Sequence, residues 1–295
     1  MEFLRTPEER FNQLPDYPFQ ANYVQVEGEM RMHYIDEGPK GAAVILLLHG
    51  EPSWSFLYRK MIPPLVAAGY RTIAPDLIGF GKSDKPTQTS DYTYAKHLHW
   101  LGECLDQLDL KDIHLFCQDW GGLLGLRILA NQPDRFASMI ISNTFLPTGK
   151  GKPNEAFLNW RNFAQTVPVF PTGKILQQAT TTDLSEEVIA AYDAPFPDES
   201  YKAGARIFPA LVPVEAGNPE GDANKQAWGV LMEWNKPCLT LFSDSDPIMH
   251  GLEQVFIDRI PGANGQAHAI IKNAGHFLQE DQGEIIAEHI IRFLE

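Results

Sequence analysis

The chain has 295 residues, 44% of them hydrophobic, and carries 24 Lys and Arg against 38 Asp and Glu, for a formal net charge of -14. That apolar share is enough for one large core, or a core with a lid, and excludes a disordered or fibrous chain. The acidic balance repels phosphate backbones and excludes nucleic acid as the natural partner.

Cys104, Cys117 and Cys238 make an odd, sparse set with no C-x-x-C pair, so neither a disulfide framework nor a zinc or redox motif is expected. Cys117 and Cys238 sit in apolar runs and read as buried thiols. The opening MEFLRTPEERFNQLPDY lacks the basic region and apolar run of a signal peptide. No stretch is apolar over the length of a membrane span. A cytoplasmic protein that does not enter a membrane is the expectation.

In chain order, Phe19 to Val26 and Arg31 to Asp36 alternate in polarity around the turn glycine of Glu27-Gly28-Glu29 and read as a hairpin at a sheet edge. Ala43 to Leu48 is continuously apolar, the pattern of a strand covered on both faces. Phe56 to Ala68 reads as a helix that Pro63 and Pro64 should cut or kink, and Arg71 to Pro75 as a strand. The glycine-rich Asp76-Leu-Ile-Gly79-Phe80-Gly81-Lys-Ser83 lacks both P-loop and dinucleotide spacing and reads as a tight structural turn.

A helical pattern follows Asp91-Tyr-Thr-Tyr and runs to Leu108. His97 and His99 fall two apart on it and read as surface residues. Next come a strand at Ile113 to Cys117, a helix at Gly121 to Ala130 and a strand at Phe136 to Ser142. This rhythm predicts an α/β fold, a mostly parallel sheet with helices on both faces.

The rhythm breaks after Asn143. From Leu146 to about Gln226 prolines and glycines separate short amphipathic pieces, with helix candidates at Phe157 to Ala164, Lys174 to Ala179 and Ser185 to Tyr192. Strands are expected again at Pro237 to Phe242, Val255 to Ile260 and Ala267 to Ile271, before a closing helix from Glu284 to Leu294. A helical insertion between two halves of one core is the simplest account: core in residues 1–146 and 228–295, cap in 147–227. The cap would lie over the carboxyl ends of the strands, where open α/β sheets bind ligands.

The sharpest local signal is Phe116-Cys117-Gln118-Asp119-Trp120-Gly121-Gly122, a buried strand running into a small-residue turn and a helix. Asp119 holds the serine position of the G-x-S-x-G nucleophile elbow. The free N–H groups of the following helix favour an ionised carboxylate there. The competing reading is an ordinary helix N-cap.

Partners appear in the order nucleophile, acid, histidine. Asp246 follows one buried strand, with Asp244 as its rival, and His276 follows the next strand but one, with His250 and His268 as rivals. The turn at His49-Gly50-Glu51-Pro52 should bring the Glu51 N–H toward Asp119. The Trp120 N–H would be a second donor, completing an oxyanion hole. His49 itself reads as structural. No histidine or carboxylate spacing suits a metal, and no cofactor is expected.

A carboxylate nucleophile attacks saturated carbon, forms an ester, and is freed when water activated by a histidine base attacks the ester carbonyl. An epoxide oxygen leaving in such a scheme needs a proton donor, whereas a halide needs only hydrogen bonds and a dry pocket. Indole N–H groups, donors without an acceptor, suit a halide. Trp120 is adjacent to Asp119. Trp160 is the second candidate, against the alternative that it packs into a core. Phe157, Phe163, Val167 and Phe170 are candidates either for the pocket lining or for the lid's own core.

HGEPSWSFLYRKMIP (His49 to Pro63), QDWGG (Gln118 to Gly122), APFPDESYKAG (Ala194 to Gly204) and AGHFLQE (Ala274 to Glu280) together resemble the haloalkane dehalogenases of the α/β-hydrolase superfamily. The likeness spans nearly the whole chain and is strongest to the subfamily with an Asp-His-Asp triad and two halide-binding tryptophans. It implies Asp119 as nucleophile, His276 as base, Asp246 as acid, and Trp120 with Trp160, through a shared F-x-x-W pattern, as halide ligands. Glu51 stands where the other subfamily has a halide-binding asparagine. The resemblance further implies a haloalkane and water as substrates, alcohol, halide and a proton as products, and no cofactor or metal; an apolar pocket would suit small haloalkanes over charged ones, and a monomer is expected.

Three other readings compete. An epoxide hydrolase would use Tyr192 or Tyr201 as lid acids, but its usual HGFP and HDWG are HGEP and QDWG here. A fluoroacetate-type dehalogenase would need an arginine pair that the Gly79 to Lys82 region lacks. A non-catalytic binding protein would leave Asp119, Asp246 and His276 unexplained.

Overall fold

A computed structural model describes residues 1–295. Its centre is an eight-stranded sheet: β1 (Asn22–Val26), β2 (Met30–Glu37), β3 (Val44–Leu48), β4 (Arg71–Pro75), β5 (Ile113–Gln118), β6 (Phe136–Ser142), β7 (Cys238–Ser243) and β8 (Ala269–Ile271). The strand order is β8-β7-β6-β5-β3-β4-β2-β1. All neighbours pair in parallel except β2, which is antiparallel to both β1 and β4.

The continuous apolar run of β3 has a direct cause. Leu46 and Leu48 enter the apolar core on one face of the sheet, and Ile45 and Leu47 enter the core on the other. A central strand between two helical layers has no wet side. Cys104, Cys117 and Cys238 are all buried free thiols.

Several elements differ from expectation. Ser55–Tyr58 forms a 3-10 turn, and α1 is confined to Ile62–Ala67. Pro63 and Pro64 occupy its first turn, where a missing N–H costs no hydrogen bond, so they start the helix. α2 (Tyr94–Gln107) is capped by the Thr93 side chain. His97 is buried on its inner face between Tyr92, Trp100 and Phe208, while His99 stays exposed. The surface reading of His97 therefore fails, because its ring shares the helix stripe of Trp100, Leu101 and Cys104. Burial lowers its pKa to about 3.

α3 (Trp120–Asn131) follows β5 directly. Val255 to Ile260, expected as a strand, instead forms most of α9 (Glu253–Arg259) and its C-cap Ile260, with Phe256 as the buried residue of the helix. α10 closes the chain at Leu278–Leu294.

Between β6 and β7 lie five helices and no strand: α4 (Glu155–Thr166), α5 (Thr172–Gln178), α6 (Glu186–Asp193), α7 (Ala203–Leu211) and α8 (Pro219–Leu231). The last two were not foreseen, because each begins with or contains a proline that reads as a breaker. α8 also runs past residue 227. Buried polar bonds tie this segment to the rest. Tyr192 donates to Glu280 Oε2 (2.5 Å), which Arg59 also grips through both carboxylate oxygens (2.6 and 2.7 Å). Near the N-terminus, the Thr6 hydroxyl donates to the Pro195 carbonyl (2.7 Å). The glycine-rich turn after β4 is structural: buried Asp76 accepts from the His33 ring and from the Ser55 and Lys82 N–H groups. No helix is long and apolar enough to cross a membrane.

Candidate active site

Asp119 is the single residue between β5 and α3, and its backbone is strained, with φ 50° and ψ -125°. A non-glycine residue persists there only where its surroundings over-determine it. Its N–H donates to the Asn143 carbonyl (3.0 Å), and its own carbonyl accepts from the Thr144 hydroxyl (2.7 Å) and the Gly122 N–H (2.9 Å). The close turn leaves no room for a Cβ at Gly121, which would collide with the Leu48 carbonyl, or at Gly50, which would collide with the Asp119 carboxylate. The Asp119 side chain makes no capping bond to α3, so the N-cap reading fails.

The carboxylate is instead turned toward the expected partners. The Glu51 N–H donates to Oδ1 (2.8 Å), and Oδ2 lies 3.5 Å from His276 Nε2. The Trp120 N–H, the other expected donor, makes no bond to this carboxylate.

His276 lies beyond β8, where its N–H and that of Phe277 bond the Ala179 carbonyl at the end of α5. Its Nδ1 is 2.7 Å from Asp246 Oδ2. The other oxygen, Oδ1, accepts from the Ile248 and Met249 N–H groups (2.8 and 3.2 Å). Burial opposes ionisation of Asp246, but His276 and these two N–H groups outweigh it and hold its pKa below the ordinary value. Burial likewise disfavours a charged His276. Asp246 and Asp119 overcome that penalty and raise its pKa to about 10.

The rivals lie elsewhere. Asp244 accepts from the Asn273 and Ala274 N–H groups (both 3.3 Å). His268 is held by Thr240 and the Ala263 carbonyl, and His250 is exposed.

Asp119, Trp120, Asp246, His276 and Trp160 all line one cavity of about 330 Å³. Its wall is largely apolar, with Phe145, Phe157, Ile175, Val212 and Leu252 among the contributors. Of the four expected lining candidates only Phe157 reaches it. Phe170 is buried against Trp160, and Phe163 is partly exposed beside it.

The chain has six tryptophans. Trp54, Trp100 and Trp228 each donate their indole N–H to an oxygen of the protein. Trp234 keeps a buried N–H without a partner, away from this cavity. Trp120 and Trp160 border the cavity and make no indole hydrogen bond to protein. Trp120 is wedged between Tyr94 and Phe208, with ring centroids at 5.2 and 4.4 Å.

Two further residues of the site were not foreseen. Gln118 contacts the His276 ring and carbonyl. Asn143 donates to the Gly275 and His276 carbonyls (3.1 and 3.2 Å) and to Ser243 Oγ (2.7 Å), joining three strand ends. A polar residue closing an apolar strand was the only signal for either. The Glu51 side chain is buried at the cavity wall with Oε1 unpartnered. Burial and the adjacent Asp119 charge raise its pKa well above the ordinary value, which favours its uncharged form.

A mostly parallel sheet whose strand ends carry an elbow aspartate, a histidine and a second carboxylate defines an α/β-hydrolase. Residues 43–282 match the family model described as alpha/beta hydrolase fold. Over 298 aligned residues the chain is 55% identical to a haloalkane dehalogenase of Psychrobacter cryohalolentis, covering all of this chain and 98% of that protein. It is 51% identical to a haloalkane dehalogenase of Mycobacterium marinum, covering 99% of each. Among solved structures, a tetrameric haloalkane dehalogenase from Paraglaciecola agarilytica superposes with a TM-score of 0.90 at 39% identity, covering 98% of this chain and 97% of the other. The chain belongs to the haloalkane dehalogenases.

Proposed function

We propose that this enzyme hydrolyses small apolar haloalkanes to alcohol and halide through a covalent ester on Asp119. The observation that carries the reading is the arrangement around that carboxylate. Oδ1 is occupied by the Glu51 N–H, Oδ2 faces the His276 ring, and the carboxylate borders an apolar cavity that also holds two unpaired indole N–H groups.

With Oδ1 engaged, Oδ2 attacks the halogen-bearing carbon from the side opposite the leaving group. The carbon–halogen electron pair departs with the halide, which Trp120 and Trp160 receive through their N–H groups. His276 Nε2 then takes a proton from water, whose oxygen attacks the ester carbonyl carbon. The oxyanion forms on the oxygen held by the Glu51 N–H, and the Trp120 N–H is the second donor once that oxygen carries full charge. Collapse expels the alkoxide, which leaves as the alcohol. Asp246 keeps the proton of the neutral ring on Nδ1, leaving Nε2 free to act as base. The net balance is haloalkane plus water giving alcohol, halide and a proton.

Loss of the Asp119 charge on alkylation removes one of the two carboxylates that favour a protonated His276. The base therefore becomes available as its substrate, the ester, appears.

In the same reading residues 147–227 form a cap that contributes Trp160 and Phe157 to the cavity. The epoxide alternative lacks its acid. The Tyr192 hydroxyl is committed to Glu280, and neither it nor Tyr201 lines the cavity. Incubation with 1-bromobutane and with a terminal epoxide, following bromide and diol, tests the assignment. Bromide without diol is expected; diol without bromide would overturn it.

A further inference from the structure

We infer that Gln118 is a positioning residue that favours the neutral, proton-accepting form of His276 once Asp119 has been alkylated. The inference rests on the two-step reading above. Gln118 closes β5 and is fully buried. Its amide nitrogen lies 3.2 Å from the His276 carbonyl oxygen and 3.1 Å from Nε2 of the same residue. The carbonyl accepts only a donor, so it dictates which end of the amide faces the ring. Asn143 donates to the same carbonyl (3.2 Å), fixing the loop against both side chains. Gln118 Oε1 is left buried without a partner. An apolar side chain of that length would avoid this cost, which argues for a use of the NH₂ end.

An amide N–H beside Nε2 suits a ring with its lone pair there and opposes a second proton. The titratable groups that face His276 are Asp246 from the loop after β7, Asp119 from the turn after β5, and Glu51, whose charged form burial disfavours, from the loop after β3. Both carboxylates draw a proton onto the ring, and Gln118 pushes it off. In the free enzyme the carboxylates prevail. Alkylation makes Asp119 a neutral ester, the ring's proton passes to solvent, and the backbone-anchored amide stays in place. The balance then tips toward the base at the step that consumes it.

The test follows decay of the alkyl-enzyme across pH, by mass spectrometry of quenched reactions with 1-bromobutane. Decay slows at low pH as His276 becomes protonated. Gln118→Met, uncharged and of similar length, should move that acid limb up by about one pH unit, and Gln118→Glu further, with ester formation changed much less. An unmoved limb in both variants overturns the inference, however far the plateau rate falls. A native enzyme that forms no ester removes the two-step reading and this inference together.

A readout independent of turnover uses Asp119→Asn, whose amide stands in for the uncharged ester. There the His276 pKa measured by NMR should rise by about one unit when Gln118→Met is added. An unchanged value would contradict the role.

Discussion

The two walls of the cavity are held by different forces. On the sheet side, Asp119, Asp246 and His276 sit at strand ends. Main-chain hydrogen bonds fix each of them: Asn143 and Gly122 at the elbow, Ile248 and Met249 at Asp246, and Ala179 at His276. On the helical side, Trp160 lies half-buried on α4, positioned by packing against Phe163 and Phe170. Backbone bonds fix atoms within a few tenths of an ångström, whereas packing fixes a surface. Bond-forming chemistry needs the first, and a diffuse anion tolerates the second. Substitutions on the sheet side should therefore abolish individual steps, and substitutions on the helical side should tune them.

The largest expected effect is at Asp119. Asp119→Asn removes the charge proposed to attack, and bromide release from 1-bromobutane should fall by about 10⁴-fold or more with an unchanged circular dichroism spectrum. Near-native release would break the assignment at its root. His276→Phe should cut steady turnover about as far but spare the first step. Intact-mass analysis should then find one butyl group retained on the protein, and an unmodified mass would contradict the division into two steps.

The two proposed halide donors sharpen the contrast between the walls. Trp120→Phe, on the rigid side, should lower the alkylation rate by about 10²-fold. Trp160→Phe should lower it by closer to tenfold, since packing against Phe163 and Phe170 positions this side chain less tightly than the main-chain bonds at the elbow. Stopped-flow alkylation rates give both numbers, and equal losses would mean that the helical side is as fixed as the sheet side.

The smallest effect is expected at the tie between the two regions. Tyr192→Phe removes the hydroxyl bound to Glu280 and should cost about 1–3 kcal/mol of stability in urea unfolding. Bromide release should stay near native, because Tyr192 does not touch the cavity. A large loss of turnover at unchanged stability would give that hydroxyl a catalytic part.

The same division governs what could be read in advance. β3 was legible because a doubly covered strand must be apolar along its length, and the elbow because a strand, Asp119, two glycines and a helix leave few other folds. Asp246 could be preferred over Asp244 from its distance beyond the strand end. His97 was misread because a ring buried among Tyr92, Trp100 and Phe208 keeps a polar residue's name in the sequence. Val255 to Ile260 was misread because a short apolar run has no decisive period. The roles of Gln118 and Asn143 lie in bonds to the His276 loop, more than a hundred residues away along the chain. No local pattern encodes such a contact. In the helical segment the residues alone left Trp160 open between halide donor and core packing, with family resemblance favouring the donor, and three of the four proposed lining residues fall off the cavity wall.

The central claim is that Asp119 becomes an ester which water frees by attacking its carbonyl carbon. Repeated turnover in ¹⁸O-labelled water, followed by mass spectrometry of the peptide bearing residue 119, tests it most directly. The mechanism predicts ¹⁸O in the Asp119 carboxylate. Label found only in the alcohol, with the carboxylate unlabelled after many turnovers, would mean that water attacks the substrate carbon directly and that no ester forms.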